Sequence, residues 1–520
     1  MRIRKKIFFL AAWLIFSLTV HAPAEETLSL SLEDCIVRAL KDNLNIAVEI
    51  RNPGLAEARL SRSKEIFLPQ WEVQFGNERN ESASSWWLQG EDTSLTKYLN
   101  LSTSIVQQIP TGGSLSLSLS NLRMDTNQLF QNYNPYYQST LRFEATQPLL
   151  KNFGFKVNRK EILIARNNLD ISLDQFRTVV LDTIYLVQEA YWNLVYAIED
   201  HKVRQQSLDL AKDLLAKTRK EVEVGRLAEI EILNAEAVVA SREADILQAE
   251  ALIRRYEDRL MNILNMSIGD EVERKRIIAL DQPEYIEKEI VLNEAIDEAL
   301  SSRPDIKIKQ KTIETNHLNL SVAKNQLLPG LDFSFSYWSP GLSGDRLKYL
   351  NDNPLTGVII GKEEGGAGQA ISDAFHFLYN NWSVGLTLSI PINTIFSRAD
   401  YTVAKMELEK SLVELENLRR QAVVEVRDAV RSVKTNARRF QAYKISKELA
   451  AKRLKAEEKK LNVGLTTNYF VLEYQEALAE AQTQELKALI DYNLALAQLE
   501  KALGISMEKR NIRISDFQIE

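Results

Sequence analysis

Histidine and cysteine are the side chains best able to hold a metal, or to act as base or nucleophile, near neutral pH. This chain of 520 residues has four histidines and one cysteine. His21, His201, His317 and His376 are scattered, and none has a Cys or His partner at metal-ligand spacing. Cys35 lies inside the first expected helix (Ser31-Leu32-Glu33-Asp34-Cys35), where a single thiol reads as a buried structural residue. Gly361-Lys362-Glu363-Glu364-Gly365-Gly366 lacks the Gly-Lys-Ser/Thr of a phosphate loop and has no strand before or helix after it in the required order. It reads as a mobile surface loop. The acidic pairs Glu407/Glu409 and Glu414/Glu416 read as solvated helix faces with i,i+4 partners. No nucleophile motif, dinucleotide fingerprint or convergent carboxylate pair stands out, so we expect no enzyme, no cofactor and no metal. A net charge of −6 argues against a nucleic-acid partner.

Repetition organises the chain. Val224-Gly225-Arg226-Leu227 interrupts a helical pattern roughly 65 residues long before it and roughly 40 after it, lengths that argue for coiled coil, membrane span or helical repeat. Val224-Gly225 with Ile232-Leu233 recurs in register as Val463-Gly464 with Val471-Leu472, and Leu260/Leu264 recur as Leu499/Leu503. A second register relates Leu32, Ala39, Leu40 and Ile46 to Leu292, Ala299, Leu300 and Ile306, and Leu68-Pro69 to Leu328-Pro329. Such self-similarity marks a duplicated structural unit. The organisation we expect is a signal peptide at 1–24, a first repeat at 25–266, a linker at 267–290, a second repeat at 291–504 and a polar tail at 505–520. Within the first repeat come helices at 31–68, strands and loops at 70–147 and a long helical hairpin at 157–266. The second has helices at 291–328, strands and loops at 331–391 and a hairpin at 396–504.

The signal peptide rests on the basic Arg2, Arg4, Lys5 and Lys6, the apolar run Ile7–Val20 and Ala22-Pro23-Ala24. After Pro69 and Pro329, which no helix continues through, the apolar period changes to two. Trp71/Val73/Phe75, Leu99/Leu101/Thr103/Ile105, Leu115/Leu117/Leu119, Leu141/Phe143/Ala145, Leu331/Phe333/Phe335/Tyr337 and Trp382/Val384/Leu386/Leu388/Ile390 alternate with largely uncharged polar residues. That is a strand signature; taken singly each segment could be a soluble half-buried strand, but behind a signal peptide and between long helices a membrane barrel is the better reading. Trp86, Trp87, Tyr98, Tyr133, Tyr136, Tyr137, Trp338, Tyr379 and Trp382 cluster at strand ends like an interfacial girdle. The stretches 77–97, 122–136 and 339–380 read as loops. In the long helix, Leu169, Leu173, Phe176, Val180, Ile184, Val187, Tyr191, Leu194 and Ile198 keep a 4-3 spacing, with further apolar residues flanking it. A helix over 158–223 measures ~100 Å; the returning and pre-strand helices, ~57 and ~34 Å, nearly match it end to end.

On these doubled openings, strand blocks, long helices and Val-Gly tips, the chain resembles the TolC-type outer-membrane efflux and secretion channels over nearly all of its mature length. The resemblance implies an α+β membrane protein in which a duplicated helix–strand–helix repeat forms a trimeric outer-membrane β-barrel, continued by a long periplasmic α-helical barrel. The implied function is the passive exit duct of a tripartite efflux or type I secretion system, driven by an inner-membrane pump or ATPase. The implied adaptor-docking tips are Val224, Gly225, Arg226, Leu227, Val463, Gly464, Leu465 and Thr466. Residues that would line the periplasmic entrance are Phe470 and Glu473, with Glu231 and Asn234 in the first half; the family has aspartates at the positions of Phe470 and Glu473. A periplasm-spanning coiled-coil scaffold without transport would use the same helices, but leaves the strand blocks unexplained. A substrate-specific porin leaves the helices unexplained. The first strand block contains an additional hairpin, Leu99–Gln108 and Ser114–Asn121, so four strands from the first half and two from the second would total about eighteen in a trimer, against the family's usual twelve or so.

Overall fold

The computed structural model describes residues 27–84, 92–266, 276–514 and 517. The expected signal peptide, Trp86 and Trp87, the start of the expected linker (267–275) and most of 515–520 lie outside the described residues. In chain order the first half runs β1 (Thr27–Leu30), α1 (Leu32–Asp42), α2 (Leu44–Glu49), α3 (Arg51–Lys64), β2 (Gln70–Ala83), β3 (Thr93–Gln108), β4 (Ser114–Thr126) and β5 (Tyr133–Pro148). A short α4 (Phe155–Asn158) precedes the hairpin α5 (Lys160–Glu223) and α6 (Ile230–Ile263). The second half runs β6 (Arg276–Ala279), α7 (Leu292–Ser302), α8 (Pro304–Asn325), β7 (Gly330–Tyr349), β8 (Ile359–Glu363), α9 (Ala367–Phe375), β9 (Asn381–Ser389), α10 (Ile395–Asn462) and α11 (Asn468–Leu503). The chain divides into two compact units: one holds residues up to Gly54, Ser172–Ile308 and Glu416 onward, the other Leu55–Ile171 and Lys309–Leu415.

The first unit is helical. Ser31 opens α1 with a capping box, its hydroxyl accepting the Asp34 N–H at 3.1 Å while Asp34 accepts the Ser31 N–H at 3.2 Å. The 4-3 stripe of α5 is realised: Phe176, Val180, Ile184, Val187, Tyr191 and Leu194 are fully buried, packed with Leu260 and Met261 of α6, with Leu264 just past its end and with Cys35. Of its flanking residues Val195 is buried, Val179 half-buried and Leu186 exposed, while α10 buries a single stripe, Ala422, Val426, Ala429/Val430 and Val433, and leaves Val424, Ile445 and Leu449 exposed. Two expectations need correction here. Part of the expected linker is β6, which pairs in parallel with β1; Tyr191 Oη secures the join, accepting the Asp281 N–H at 3.1 Å beside the Leu30 carbonyl at 3.2 Å. The tail is not merely polar: Ile505, Ser506 and Met507 are buried, and the Phe517 ring meets Phe176 edge-on at 5.1 Å. Its apolar residues are too sparse for a periodic signal, yet they complete the core.

The second unit is built on a seven-stranded antiparallel sheet ordered β2-β3-β4-β5-β7-β8, with β9 also on β7. Helix breaks at Pro69 and Pro329 lead straight into β2 and β7, as the prolines require. The additional hairpin lies inside the sheet, with Gln108 opposite Ser114 and the 109–113 turn closed by the Ile109 N–H on the Gly113 carbonyl at 2.8 Å. The expected loops 77–97, 122–136 and 339–380 are largely ordered structure. β2 continues to Ala83, β3 starts at Thr93, β4 reaches Thr126, β5 starts at Tyr133 and β7 reaches Tyr349. The Gly361 segment is likewise no loop: its first residues are strand, and Gly366 begins a helix. Ladder hydrogen bonds carry these strands on after apolar alternation stops, and side-chain periodicity does not register backbone pairing. Among the acidic pairs, Glu409 and Glu416 have i,i+4 cations (Lys405 and Arg420), whereas Glu414 pairs across helices with Lys309.

Candidate functional site

Both long helices end in the same backbone device. Gly225 (φ +73°) and Gly464 (φ +72°) are left-handed. Gly225 N–H donates to Val222 O at 2.9 Å and Arg226 N–H to Glu221 O at 2.8 Å; Gly464 N–H donates to Leu461 O at 3.0 Å and Leu465 N–H to Lys460 O at 2.9 Å. This pair of bonds is the Schellman motif, which satisfies the last carbonyls and turns the chain back. A Cβ at either glycine would meet nothing within 4 Å, so the backbone angle, and not crowding, asks for glycine. Val224, Arg226, Val463 and Leu465 are exposed, while Leu227 and Thr466 are half-buried. Each tip therefore presents apolar side chains on a fixed turn.

The candidate entrance residues stand on the first turns of the returning helices. Glu231 is half-buried; Asn234, Phe470 and Glu473 are exposed, and the Tyr469 ring meets Phe470 edge-on at 5.5 Å. The two hairpins are joined just behind the tips by Leu208, Leu214, Leu215, Val239, Ile246, Val471 and Leu472. Polar ties accompany this cluster: Asn468 Nδ2 donates to Thr218 Oγ1 at 2.8 Å, both residues buried, and Lys217 Nζ reaches Asn462 Oδ1 at 3.0 Å.

Sequence reading passes over one residue that matters here. Arg242 is 7 % exposed and spans three helices, donating to Ser207 O on α5 at 2.6 Å and to Leu472 O and Gln475 Oε1 on α11, both at 3.3 Å. Burial pulls its guanidinium below the ordinary arginine value, against the opposing fields of Glu476 and Asp245. It borders a cavity of about 480 Å³ whose lining includes Arg204, Asp245, Arg439, Glu476 and Lys487. A signal for it exists: Ala235, Val239, Arg242, Ile246, Ala249 and Ile253 form a 4-3 seam of buried positions with a cation in the middle.

Glu457 braces the second tip, accepting Thr466 Oγ1 at 2.6 Å and Lys460 Nζ at 3.0 Å. The hydroxyl, then the ammonium, hold its carboxyl below the usual carboxylate range. A depressed folded-state value stabilises above the unfolded value of ~4.3, and that contribution is lost as pH falls through the folded value. Amide exchange at Val463–Thr466 is thus expected to accelerate at pH 3 relative to pH 7, beyond the intrinsic change. Glu457→Gln should flatten that dependence; an identical pH profile in both proteins would reject the brace.

The sheet has two chemically distinct faces. Register carries one row across it, Trp71–Ile105–Leu117–Phe143–Tyr337–Trp382. With side chains alternating along each strand, the other apolar residues of the strand segments, Val73, Leu101, Leu119, Leu141, Phe333 and Leu386 among them, fall on this same face. The other face carries Gln74, Ser102, Ser104, Ser116, Ser118, Glu144 and Ser336. Six separate periodicities therefore resolve into one apolar surface, the arrangement of a barrel wall with lipid outside and water inside.

The family model for outer membrane efflux protein matches residues 111–266 and 295–505, which take in both helical hairpins, the second strand block and, of the first, β4 and β5. The chain belongs to the outer membrane efflux protein family. Nodulation protein T of Rhizobium leguminosarum bv. trifolii is 22% identical over 372 residues, covering 71% of this chain and 72% of the relative. Alkaline protease secretion protein AprF of Pseudomonas aeruginosa is 22% identical over 375 residues, covering 71% and 70%. In fold the chain is similar to the Campylobacter jejuni CmeC outer membrane channel (TM-score 0.62, 16% identity, 94% of this chain and 90% of that one). It is also similar to Vibrio cholerae VceC (TM-score 0.61, 15% identity, 91% and 96%). The fold is thus that of the efflux-family channels, a β-barrel with an α-helical barrel. Its place is the outer membrane, with the helices extending into the periplasm. The family is one of channels, not enzymes. Among the described residues no group of three or more His, Cys, Asp or Glu gathers as for a metal.

Proposed function

We propose that three copies of this chain form one channel, the passive exit duct of a tripartite efflux or type I secretion system, with a periplasmic adaptor docked on the tips. An inner-membrane pump or ATPase joined through that adaptor supplies the energy. The observation that carries the reading is the pairing of a two-faced sheet having open edges with two turns of the same backbone geometry, each exposing a valine. Among the described residues β2 pairs with β3 alone, and β9 with β7 alone. Each edge thus leaves N–H and C=O groups that hydrocarbon does not tolerate. Joining β9 of one copy to β2 of the next removes both edges, and three copies of a six-position sheet give a barrel of about eighteen strands. The exposed Val424, Ile445 and Leu449 of α10 supply an apolar seam for the same assembly. Mass measurement in detergent is expected to give a trimer; a stable folded monomer would exclude it.

For the adaptor, the docking residues are Val224-Gly225-Arg226-Leu227 and Val463-Gly464-Leu465-Thr466. A photo-reactive cross-linker at Val463 should capture a periplasmic hairpin protein, identified by mass spectrometry. Capture from mid-helix positions but never from either tip would defeat this reading.

The entrance is closed by Phe470 and Glu473 of three copies, with Glu231 and Asn234 alongside. An apolar ring adds steric and dewetting closure to a carboxylate ring. In planar bilayers Phe470→Ala should raise resting conductance, and Glu473→Ala should change cation block and selectivity. Since Phe470 is 44% exposed, its loss should leave the melting temperature nearly unchanged. Unaltered conductance in both variants, with a large loss of stability in Phe470→Ala, would mean that the ring packs between protomers instead.

A further inference from the structure

Along β7 the apolar residues Leu331, Phe333, Phe335 and Tyr337 of the lipid face are followed, on that same face, by Ser339, Gly341 and Ser343. Hydroxyls there would be poorly placed against lipid, but all three positions lie under protein. Ser339 is fully buried, as is Ser139 opposite Gly341, and the cover is α9. A Cβ at Gly341 would stand 2.0 Å from the Ala370 carbonyl oxygen and 2.9 Å from the Ala374 nitrogen. The α9 backbone therefore rests directly on the sheet, with Ala370 and Ala374 completely buried. Since Gly341 shares its face with Phe335 and Tyr337, α9 lies on the outer wall and not in the lumen.

The remaining surface of α9 is divided. At about 100° per residue, Ile371 and Phe375 fall on one flank of the Ala370/Ala374 line. Gln369 and Asp373 fall on the other, where Gln369 Nε2 donates to Asp373 Oδ1 at 2.7 Å, and Ser372 falls opposite the line. At and beyond the helix end, apart from the exposed His376, the side chains are apolar as far as Tyr379: Phe375, Phe377, Leu378 and Tyr379 are exposed, from 44% to 59%. Phe377 lies against Tyr337, ring centroids 5.9 Å apart, and the Tyr337 hydroxyl bonds Asn380. The next residues enter β9, where Trp382 stands opposite Tyr337 on the lipid face. The run from Phe375 to Trp382 is therefore continuous with the lipid-contacting wall, and its polar flank is the one a water boundary requires. Helices with this division, bearing aromatic residues, lie in the headgroup layer.

We propose that α9 and the segment Phe375–Tyr379 form a ledge on the outer wall of the barrel that is embedded in the headgroup layer of the outer-membrane lipid. The ledge would widen the membrane-contacting perimeter of each copy, substituting a helix for lipid where the strand face turns to serine and glycine. It rests on the sheet's apolar face meeting lipid, which the test checks separately. Site-directed spin labelling suits this chain, because the one native thiol, Cys35, is buried and its pKa is pushed up to about 12. The full chain would carry single labels at Phe375→Cys or Leu378→Cys, with Lys362→Cys as the exposed β8 reference and Leu386→Cys as the lipid-face reference. After reconstitution in vesicles of phosphatidylethanolamine and phosphatidylglycerol, accessibility to oxygen and to a water-soluble nickel chelate is compared. All four side chains are exposed, so folding should survive, as band shift on unheated gels will report. The expected oxygen-to-nickel ratio at 375 and 378 is severalfold above that at 362 and approaches that at 386. Values equal to those at 362, or exclusion of both reagents, would overturn the ledge while leaving 386 lipid-like. A water-like 386 would remove the barrel wall and the ledge together.

Discussion

Leu117→Arg is expected to abolish membrane assembly, whereas Ser116→Arg, its neighbour on the same strand, is expected to leave assembly intact. Leu117 stands between Ile105 and Phe143 on the apolar face; Ser116 stands between Val106 and Glu144 on the polar one. A guanidinium facing lipid near the midplane of a barrel costs about 2–4 kcal/mol, and falls towards zero at the interfaces. Every copy in an assembly carries that cost, so the total is a large fraction of a typical folding free energy. An arginine at 116 faces water and lies opposite a carboxylate, a mildly favourable cross-strand pair. The measurement is the yield of heat-modifiable, membrane-inserted protein for the two variants in parallel. Equal yields would mean that the two faces are not lipid and water, and would undo the barrel reading of the sheet.

The second large effect is expected from Arg242→Ala, at about 3–5 kcal/mol. The substitution empties a packed site between α5, α6 and α11, which for large side chains costs ~2–5 kcal/mol. It also leaves Ser207 O, Leu472 O and Gln475 Oε1 without the donors they have, and buried acceptors so stranded cost ~1–3 kcal/mol each where water does not replace the donor. The neighbouring cavity admits some water, which holds the total below the sum. Arg242→Lys should be intermediate, because one ammonium cannot repeat the forked reach of a guanidinium to two carbonyls on different helices. Thermal melts together with amide exchange at the tips test this: both hairpins should loosen in Arg242→Ala. A loss below about 1 kcal/mol, or loosening confined to α6, would show that Arg242 does not join the hairpins.

The parts legible in the sequence share a cause: their signals are local or are repeated. Val-Gly at the ends of two long apolar-periodic stretches encodes a Schellman turn whatever the surroundings, and both turns formed with nearly equal φ. Pro69 and Pro329 stop helices by covalent geometry, and strands begin directly after them. Strict alternation in six segments determines that each can have one apolar side. Duplication turned weak local signals into a strong one, because each half independently repeats the other's order of elements.

Tertiary structure decided what depended on residues far apart in sequence. Whether six alternations would point the same way was a question of register, since a slip of one residue reverses a strand's faces; only the ladders Trp71–Ile105–Leu117–Phe143–Tyr337–Trp382 answer it. The upper lengths of β2 to β4 carry Arg79, Lys97, Arg123 and Asp125, so backbone ladders extend them where apolar alternation has stopped. Helix α9 was hidden because Gly361–Gly368 looks like loop and because its seat, Gly341, lies outside any local window. Arg242 reads as a surface charge until α5 and α11 close over it. From its residues alone the chain specified its long helices, its paired tips, its apolar strand segments and their duplication, but not β6, β8 or α9. Which faces meet, what the tips hold together and where a polar residue becomes buried were settled by long-range pairing, which a linear pattern of side chains does not encode.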